Sequence, residues 1–348
     1  MNIFFRVDCS HIIGTGHIIR CLKLSKYFDG NIYFICKKFK NNLNQKVIEN
    51  GYNLFEIDID TDYSNINDTK SWLGESFNDD ALKTINVLKN YKVDLLIIDQ
   101  YAIDYKWQNL VKKYVKKILV LDDYIERRHN CDYILNSLED NPVNYNEYKN
   151  NSKLLLGNDY FIISKEFLKS AESKKFNKNI SRVFIFISGS DVHNYTYDIC
   201  KKIENKYNHI IFDILVGGAN INYKQISELC FKNTNFNYYF NIEKVHEIMI
   251  LADVCIGSLG QNFIERCVLG IPSIVFTIAD NQLGFLEKYK DKKMFLYCGH
   301  KPSNLNNVLE KFESILNNNQ LWLELKKSVN LYNIGKNNKL SNLKKILY

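Results

Sequence analysis

The residues best suited to chemistry stand near the start of the chain, at positions 3–20. An apolar run there ends in a loop containing Gly14-Thr15-Gly16, and His17 follows where a helix is expected to begin. Closely spaced glycines allow a tight turn and let a ligand approach main-chain N–H groups. Imidazole has a reference pKa of about 6.5, which suits general acid–base work. The pattern predicts an active site, although glycine pairs often only make turns and a histidine at a helix start is often a surface or capping residue.

Carboxylates and a tyrosine follow later apolar runs of the first half. Asp99 and Tyr101 come after one run, and Asp122-Asp123 after the next. Paired carboxylates can raise one another's pKa or hold a metal, but they are also common in turns and helix caps. Both interpretations of these residues stay open on the sequence alone.

Two glycine-containing turns in the second half are candidate nucleotide-binding loops. Ser188-Gly189-Ser190-Asp191 follows an apolar run, and its small residues leave N–H groups open to a phosphate or a base carbonyl. The alternative is an ordinary turn in which Asp191 caps a helix. The segment 257–262, with Glu265 after it, suits a diphosphate at the helix N-terminus and a carboxylate facing ribose hydroxyls. It is alternatively a turn whose carboxylate interacts favourably with the helix dipole.

The elements that position these residues are short apolar runs alternating with amphipathic stretches. Strands are predicted at 3–7, 32–36, 54–57, 95–98, 118–121, 133–135, 183–187, 210–215, 238–240, 254–256 and 273–276. Continuous apolar strands separated by helices imply parallel sheets covered on both faces. The strand–loop–helix opening occurs twice, so we predict two doubly wound, Rossmann-like α/β domains at 1–165 and 180–348. Ligands bind beyond the carboxyl ends of such strands, so facing strand ends would define a cleft between the domains.

Composition excludes several classes of function. The chain has 348 residues and a net charge of +7, without the concentrated basic stripe of a nucleic-acid-binding module. Its nine cysteines form no C-x-x-C pair, and no histidine spacing supports a metal centre. Neither a signal peptide nor a membrane-length apolar run is present. We therefore expect a cytoplasmic monomer with reduced thiols, no stable membrane association, no metal and no cofactor.

Several motifs together carry a resemblance to a known family. They are RVDCSHIIGTGHIIRCLKLS, LLIIDQY, LDDYIERRHNCDYILN, LLLGNDYFIISKEF, FISGSD and ADVCIGSLGQNFIERCVLGIPSIV followed by DNQ. In order and spacing the chain resembles the hydrolases that cleave UDP-2,4-diacetamido-2,4,6-trideoxy-β-L-altropyranose in the synthesis of pseudaminic acid for flagellin glycosylation. That family has the glycosyltransferase-B class of fold, as does the transferase that adds N-acetylglucosamine to lipid I.

The resemblance implies roles for individual residues. His17 would be the catalytic histidine, assisted by a nearby carboxylate, Asp99 or Asp122. The substrate pocket would contain Gly14, Gly16, Arg20, Tyr101, Asp122, Asn281 and Gln282. The nucleotide would lie against Gly189, Ser190, Asp191, Ser258, Gly260, Gln261 and Glu265. The implied reaction is metal-independent hydrolysis with inversion, in which C–O cleavage at the anomeric carbon releases UDP.

Some positions depart from the family pattern. Cys9-Ser10 replaces a serine pair, Ser188-Gly189 replaces Gly-Gly, Ser258-Leu259 stands where glycine is common, and Ser164 stands where arginine is frequent. These departures affect the identity of the sugar more than the catalysis. Two other interpretations stay open: a glycosyltransferase that requires an acceptor, and a non-catalytic protein that binds a sugar nucleotide without consuming it.

Overall fold

The computed structural model describes residues 1–10, 12–59, 69–332, 334–335 and 337–347, which form two compact units. Unit 1 consists of Met1–Ile162 and Asn338–Tyr348, and unit 2 of Ile163–Asn337. The segment Asn338–Tyr348 thus belongs to unit 1, whereas the sequence-based prediction placed it in the second domain. Leu340 and Leu343 explain this, because both are buried in the core of unit 1.

Unit 1 is built on a parallel sheet of seven strands in the order β3-β2-β1-β4-β5-β6-β7. The strands are β1 (Asn2–Val7), β2 (Asn31–Lys37), β3 (Asn53–Ile57), β4 (Leu95–Asp99), β5 (Ile118–Leu121), β6 (Tyr133–Asn136) and β7 (Lys153–Leu156). In the described part of this unit, the helices between the strands are α1 (Gly16–Ser25), α2 (Gln45–Glu49), α3 (Phe77–Leu88) and α4 (Tyr105–Val111). The strand order reverses between β1 and β4, which is where such sheets bind ligands.

Unit 2 contains a parallel sheet of six strands in the order β10-β9-β8-β11-β12-β13. Its strands are β8 (Arg182–Phe186), β9 (Ile211–Val216), β10 (Phe236–Phe240), β11 (Val254–Ser258), β12 (Ser273–Thr277) and β13 (Phe295–His300). Its helices are α5 (Lys165–Ser173), α6 (Tyr195–Ile203), α7 (Tyr223–Phe231), α8 (Val245–Met249), α9 (Gln261–Val268), α10 (Leu283–Tyr289), α11 (Asn306–Asn317) and α12 (Asn319–Tyr332). The remaining helix, α13 (Leu343–Leu347), returns to unit 1.

The strands of each unit are rich in apolar residues that are buried on both faces of the sheet. Along β1, Ile3, Phe5 and Val7 enter one apolar cluster and Phe4 enters another, as alternation of side chains requires. This arrangement confirms the two parallel α/β sheets predicted from continuous apolar runs. In the described part of the chain, no helix has the length and apolar character needed to cross a bilayer.

Candidate active site

A folded loop after β1 delivers His17 to the carboxyl edge of the sheet. The Ser10 hydroxyl accepts the N–H groups of Ile12 and Ile13 at 3.1 and 3.0 Å, and Gly14 N–H donates to the Ser10 carbonyl. Gly14 has φ +88°, in the left-handed region that favours glycine. The loop then enters α1 at Gly16, so His17 is the second residue of that helix.

His17 is paired with the carboxylate that ends the neighbouring central strand. Its Nδ1 lies 2.8 Å from Oδ1 of Asp99, and the two residues are only 6% and 1% exposed. Because an ionised carboxylate only accepts hydrogen bonds, the ring proton belongs on Nδ1. Nε2 is then the nitrogen with a lone pair. A histidine oriented in this way is equipped to act as a general base.

Arg20 lies one helical turn after His17 and binds the same carboxylate. Its Nε donates to Asp99 Oδ2 at 2.6 Å, and a terminal nitrogen donates to Asp99 Oδ1 at 2.5 Å. The other terminal nitrogen donates to Asp123 Oδ2 at 2.6 Å. Burial alone would raise the pKa of Asp99, but Arg20 and His17 outweigh it and hold that pKa well below its usual range. Asp99 therefore stays ionised, and Arg20 is engaged by carboxylates of the protein itself.

Aromatic rings enclose the side of the imidazole. The rings of Tyr101 and Trp72 both pack edge-on against the imidazole of His17. Their centroids lie 4.7 and 5.5 Å from the imidazole centroid. Trp72 and Tyr101 stack at 5.2 Å, and the Tyr101 hydroxyl donates to Asp123. Trp72 carries no sequence signal, because it follows no strand and precedes no glycine pair. Only the structure brings it to the histidine.

Asp122 lies below the surface and fixes the loop after β5. It is fully buried and accepts hydrogen bonds from Arg127 and, at 2.9 Å, from the Tyr145 hydroxyl. Burial would raise the pKa of Asp122, but Arg127 and His129 outweigh it and lower that pKa to about 2. Arg127 also donates to the Tyr101 carbonyl at 2.9 Å. The geometry gives Asp122 a part in holding Tyr101, and contact with a substrate stays a prediction.

In unit 2, Asp191 caps the helix that follows its loop. Its carboxylate accepts the N–H groups of Tyr195 at 3.0 Å and Thr196 at 2.8 Å, in a backbone conformation with φ +39°. Burial raises the pKa of Asp191. Gly189 and Ser190 are half-buried beside it. The capping alternative thus describes what Asp191 does in the folded chain, and its predicted contact with a nucleotide stays a prediction.

The second candidate loop opens α9 without a side-chain cap. Gly260 is the N-cap residue and has no side chain to cap the helix, and the Phe263 N–H donates to the Gly260 carbonyl at 2.8 Å. Gln282 lies over this turn, because a Cβ on Gly260 would be 3.3 Å from its amide nitrogen. Asn262 donates to Glu265 at 2.8 Å, and the Ser258 hydroxyl donates to the Ile187 carbonyl at 2.5 Å. Gln261 is the first residue of α9, and Asn281 lies in the turn before α10; both are half-buried.

Sequence reasoning missed a buried cation beneath that turn. Arg266 is 1% exposed, donates to the Ser258 carbonyl, and lies with Nε 3.3 Å from the Asn262 carbonyl. Burial lowers the pKa of Arg266. Its contacts tie the end of β11 to the first turn of α9, which fixes the direction of the helix N-terminus. An arginine inside an amphipathic helix looks like a surface residue in sequence.

Three curated relatives share low but extended identity with the chain. A Campylobacter jejuni protein named UDP-2,4-diacetamido-2,4,6-trideoxy-beta-L-altropyranose hydrolase is 26% identical over 280 residues, covering 77% of this chain and 89% of that protein. An uncharacterized Methanocaldococcus jannaschii protein is 25% identical over 288 residues, covering 79% and 55%. A Helicobacter pylori protein named pseudaminic acid cytidylyltransferase and the same hydrolase is 24% identical over 241 residues, covering 66% and 42%. The chain thus spans about half the length of the last two, and no family model matches it.

Solved structures with the same fold cover nearly the whole chain. MurG of Acinetobacter baumannii superposes with a TM-score of 0.62 at 12% identity, covering 99% of this chain and 98% of that one. The UDP-GlcNAc 2-epimerase of Neisseria meningitidis, solved with UDP-GlcNAc, gives 0.63 at 14% identity and covers 99% of each. These likenesses confirm the predicted fold class, a glycosyltransferase-B-like pair of Rossmann-like units.

Proposed function

We propose that the protein hydrolyses a UDP-linked diacetamido trideoxy sugar, UDP-2,4-diacetamido-2,4,6-trideoxy-β-L-altropyranose, to UDP and the free sugar in pseudaminic acid biosynthesis. The buried pair of His17 and Asp99 at the reversal point of the unit 1 sheet is the observation that carries this proposal. Two relatives whose names include this hydrolase activity, one aligned over 89% of its length, support the choice of reaction.

The proposed reaction assigns one task to each group. Water attacks the anomeric carbon while His17 Nε2 accepts a proton from it, and Asp99 stabilises the imidazolium through Nδ1. The bond between the anomeric carbon and the diphosphate oxygen breaks, and the electron pair leaves with UDP. Attack opposite the leaving group inverts the configuration. Unit 2 binds the UDP moiety, and the positive N-terminal end of α9 stabilises the growing diphosphate charge.

The test is incubation of the purified protein with this UDP-sugar, without acceptor and with EDTA, while NMR follows UDP and the sugar. We expect equal release of both, with the inverted anomer appearing first. In H₂¹⁸O the label should enter the sugar, because the C–O bond is the one that breaks. UDP release that requires an added acceptor would instead identify a glycosyltransferase, and UDP binding with no turnover of any donor would identify a binding protein.

The variant His17→Asn tests the role of the histidine. We expect loss of turnover with nearly unchanged UDP affinity by calorimetry, since the imidazole acts on water and unit 2 binds the nucleotide. His209→Asn is the matched control, because His209 is exposed on unit 2 away from the candidate loops. Near-normal turnover by His17→Asn would exclude His17 as the base.

A further inference from the structure

Asp99 serves two partners rather than one. Its Oδ1 is within 2.8 Å of His17 Nδ1 and 2.5 Å of an Arg20 nitrogen, and its Oδ2 accepts from Arg20 Nε at 2.6 Å. That terminal nitrogen of Arg20 is also 3.3 Å from His17 Nδ1. A fixed positive charge therefore lies beside the imidazole and competes with it for the same carboxylate.

The other described groups in direct contact with His17, Asp99 and Arg20 carry no positive charge. Asp123 binds the far side of Arg20 at 2.6 Å and takes a hydrogen bond from Tyr101. Burial and Asp123 raise the pKa of Tyr101 well above its usual value, so this phenol is neutral. Burial likewise raises the pKa of Cys21, whose thiol lies 3.5 Å from Asp99. Among the described residues around His17, the charged side chains are thus Asp99, Arg20 and Asp123, and Arg127 lies over the Tyr101 ring, 5.4 Å from its centroid.

We propose that Arg20 is a positioning residue that keeps His17 in the neutral, proton-accepting form, and that Asp123 sets the strength of this effect. Arg20 neutralises much of the negative charge that would otherwise stabilise an imidazolium on Asp99. Asp123 draws part of the guanidinium charge away from His17. The relevance to catalysis rests on the proposed function, since a neutral His17 is what that reaction requires.

The proposal makes removal of the two charges act in opposite directions. In Arg20→Met, the described contacts leave Asp99 with His17 and the Cys21 thiol, so an added proton on His17 should be stabilised and the protonation midpoint should move to higher pH. In Asp123→Asn, the full guanidinium charge faces His17, and the midpoint should fall. Tyr101→Phe changes no charge and should leave the midpoint in place. Arg20→Lys retains the cation, so its His17 midpoint should lie close to that of the unaltered protein.

The measurement is a pH titration of the histidine ring Cε1–H signals by NMR in ¹³C-histidine-labelled full-length protein. His17→Gln identifies the His17 signal among the seven histidines. Opposite shifts in Arg20→Met and Asp123→Asn support the proposal, whereas shifts of one sign or none overturn it. If Arg20→Met does not fold, Asp123→Asn still decides, because a lowered midpoint supports the proposal and an unchanged or raised one overturns it.

A pH–rate profile of UDP release then connects the titration to catalysis. The acidic limb should move with the His17 midpoint in each variant, so that Arg20→Met loses rate near neutral pH and regains it in alkaline buffer. The titration needs no substrate. Failure of the proposed function would therefore abolish the profile while leaving the NMR result intact, and failure of this inference would do the reverse.

Discussion

At the scale of single residues, the acceptor that faces His17 Nδ1 decides which ring nitrogen is basic. Asp99→Asn keeps the size of the side chain but presents an amide N–H₂ that can donate to Nδ1. The proton then moves to Nε2, which no longer accepts one from water. We expect kcat/KM for UDP release to fall by roughly 10³ to 10⁴-fold, the loss typical of such a tautomer change, with UDP affinity retained.

The matched control for this variant is Asp198→Asn. Asp198 is exposed in α6 of unit 2, so the same chemical change there should leave the rate within about twofold of the unaltered protein. Calorimetry of UDP binding checks that both variants keep the nucleotide site. An Asp99→Asn protein with a rate within tenfold of the unaltered one would show that Asp99 does not orient the histidine.

Which site residues the sequence predicts depends on where they stand relative to strands. His17, Asp99 and Tyr101 follow apolar runs whose carboxyl ends meet at one edge, so sequence alone brought them together as candidates. Trp72 and Arg266 belong to no such position. Trp72 packs against His17 and Tyr101 from distant parts of the chain, so no local spacing encodes its position. Arg266 binds carbonyls only four and eight residues before it, but an arginine in an amphipathic helix gives no sign that it is buried.

At the scale of elements, buried charges join β1, β2 and α3 beneath the site. Arg6 of β1 is completely buried and binds Asp8 and Asp80, each at 2.6 Å. Lys37 at the end of β2 contacts Asp80 at 3.0 Å, and Gln100, next to Tyr101, donates to Asp8 at 2.8 Å. The network therefore links the strand that precedes the His17 loop to the segment that carries Tyr101.

Arg6→Met should be strongly destabilising. It keeps most of the apolar volume but leaves Asp8 without its cation and Asp80 with only Lys37, inside the core. Removing one partner of a buried ion pair typically costs about 3 to 5 kcal/mol, and we expect a loss of that size in the free energy of unfolding. Urea unfolding followed by tryptophan fluorescence measures it, since Trp107 donates its indole N–H to Asp80.

Lys201→Met provides the comparison for that measurement. Its ion pair with Glu204 lies at the surface of unit 2, where such pairs contribute little, so its unfolding curve should be nearly unchanged. Equal effects of Arg6→Met and Lys201→Met would mean that the buried network adds no more than a surface pair.

The sequence predicted the central strands and one edge strand of each sheet, β3 and β10, but not the opposite edges, β7 and β13. Core strands such as β4 are continuous apolar runs buried on both faces, and this pattern is visible without a structure. β7 has only four residues, starting with lysine, and β13 ends in Gly299-His300, so neither gives an apolar run that stands out. The sequence does not predict short helices such as α2 either, because five residues define no amphipathic period.

At the scale of the whole molecule, the two units differ in how burial shifts the pKa of their aspartates, although unit 2 also contains a buried carboxylate with a cation, Asp213, which Arg182 contacts at 2.5 Å. In unit 1, cations hold the pKa values of Asp80, Asp99 and Asp122 below the usual range despite the opposing effect of burial. In unit 2, Asp191 accepts hydrogen bonds from backbone N–H groups and the Thr196 hydroxyl, but burial dominates and raises its pKa. Asp280 of unit 2 also has a lowered pKa, but it is exposed and its ion pairs contribute little.

This contrast predicts that acid unfolds unit 1 before unit 2. A carboxyl whose folded pKa is depressed stabilises the fold above its unfolded value of about 4, and this stability is lost as the pH falls through the folded value. For Asp122 that window extends from about pH 4 down to about pH 2. Asp191 has the opposite sign, because protonation at acidic pH relieves an unfavourable buried charge.

Tryptophan positions allow the two units to be followed separately during acidification from pH 7 to pH 2. Trp322→Phe leaves Trp72 and Trp107 as reporters of unit 1, and the double variant Trp72→Phe/Trp107→Phe leaves Trp322 as the reporter of unit 2. We expect the unit 1 signal to change at the higher pH. In Asp122→Asn, the unit 1 transition should be shallower because one of its titrating groups is gone. Coincident transitions, or an earlier change at Trp322, would mean that the buried ion pairs of unit 1 do not control acid stability.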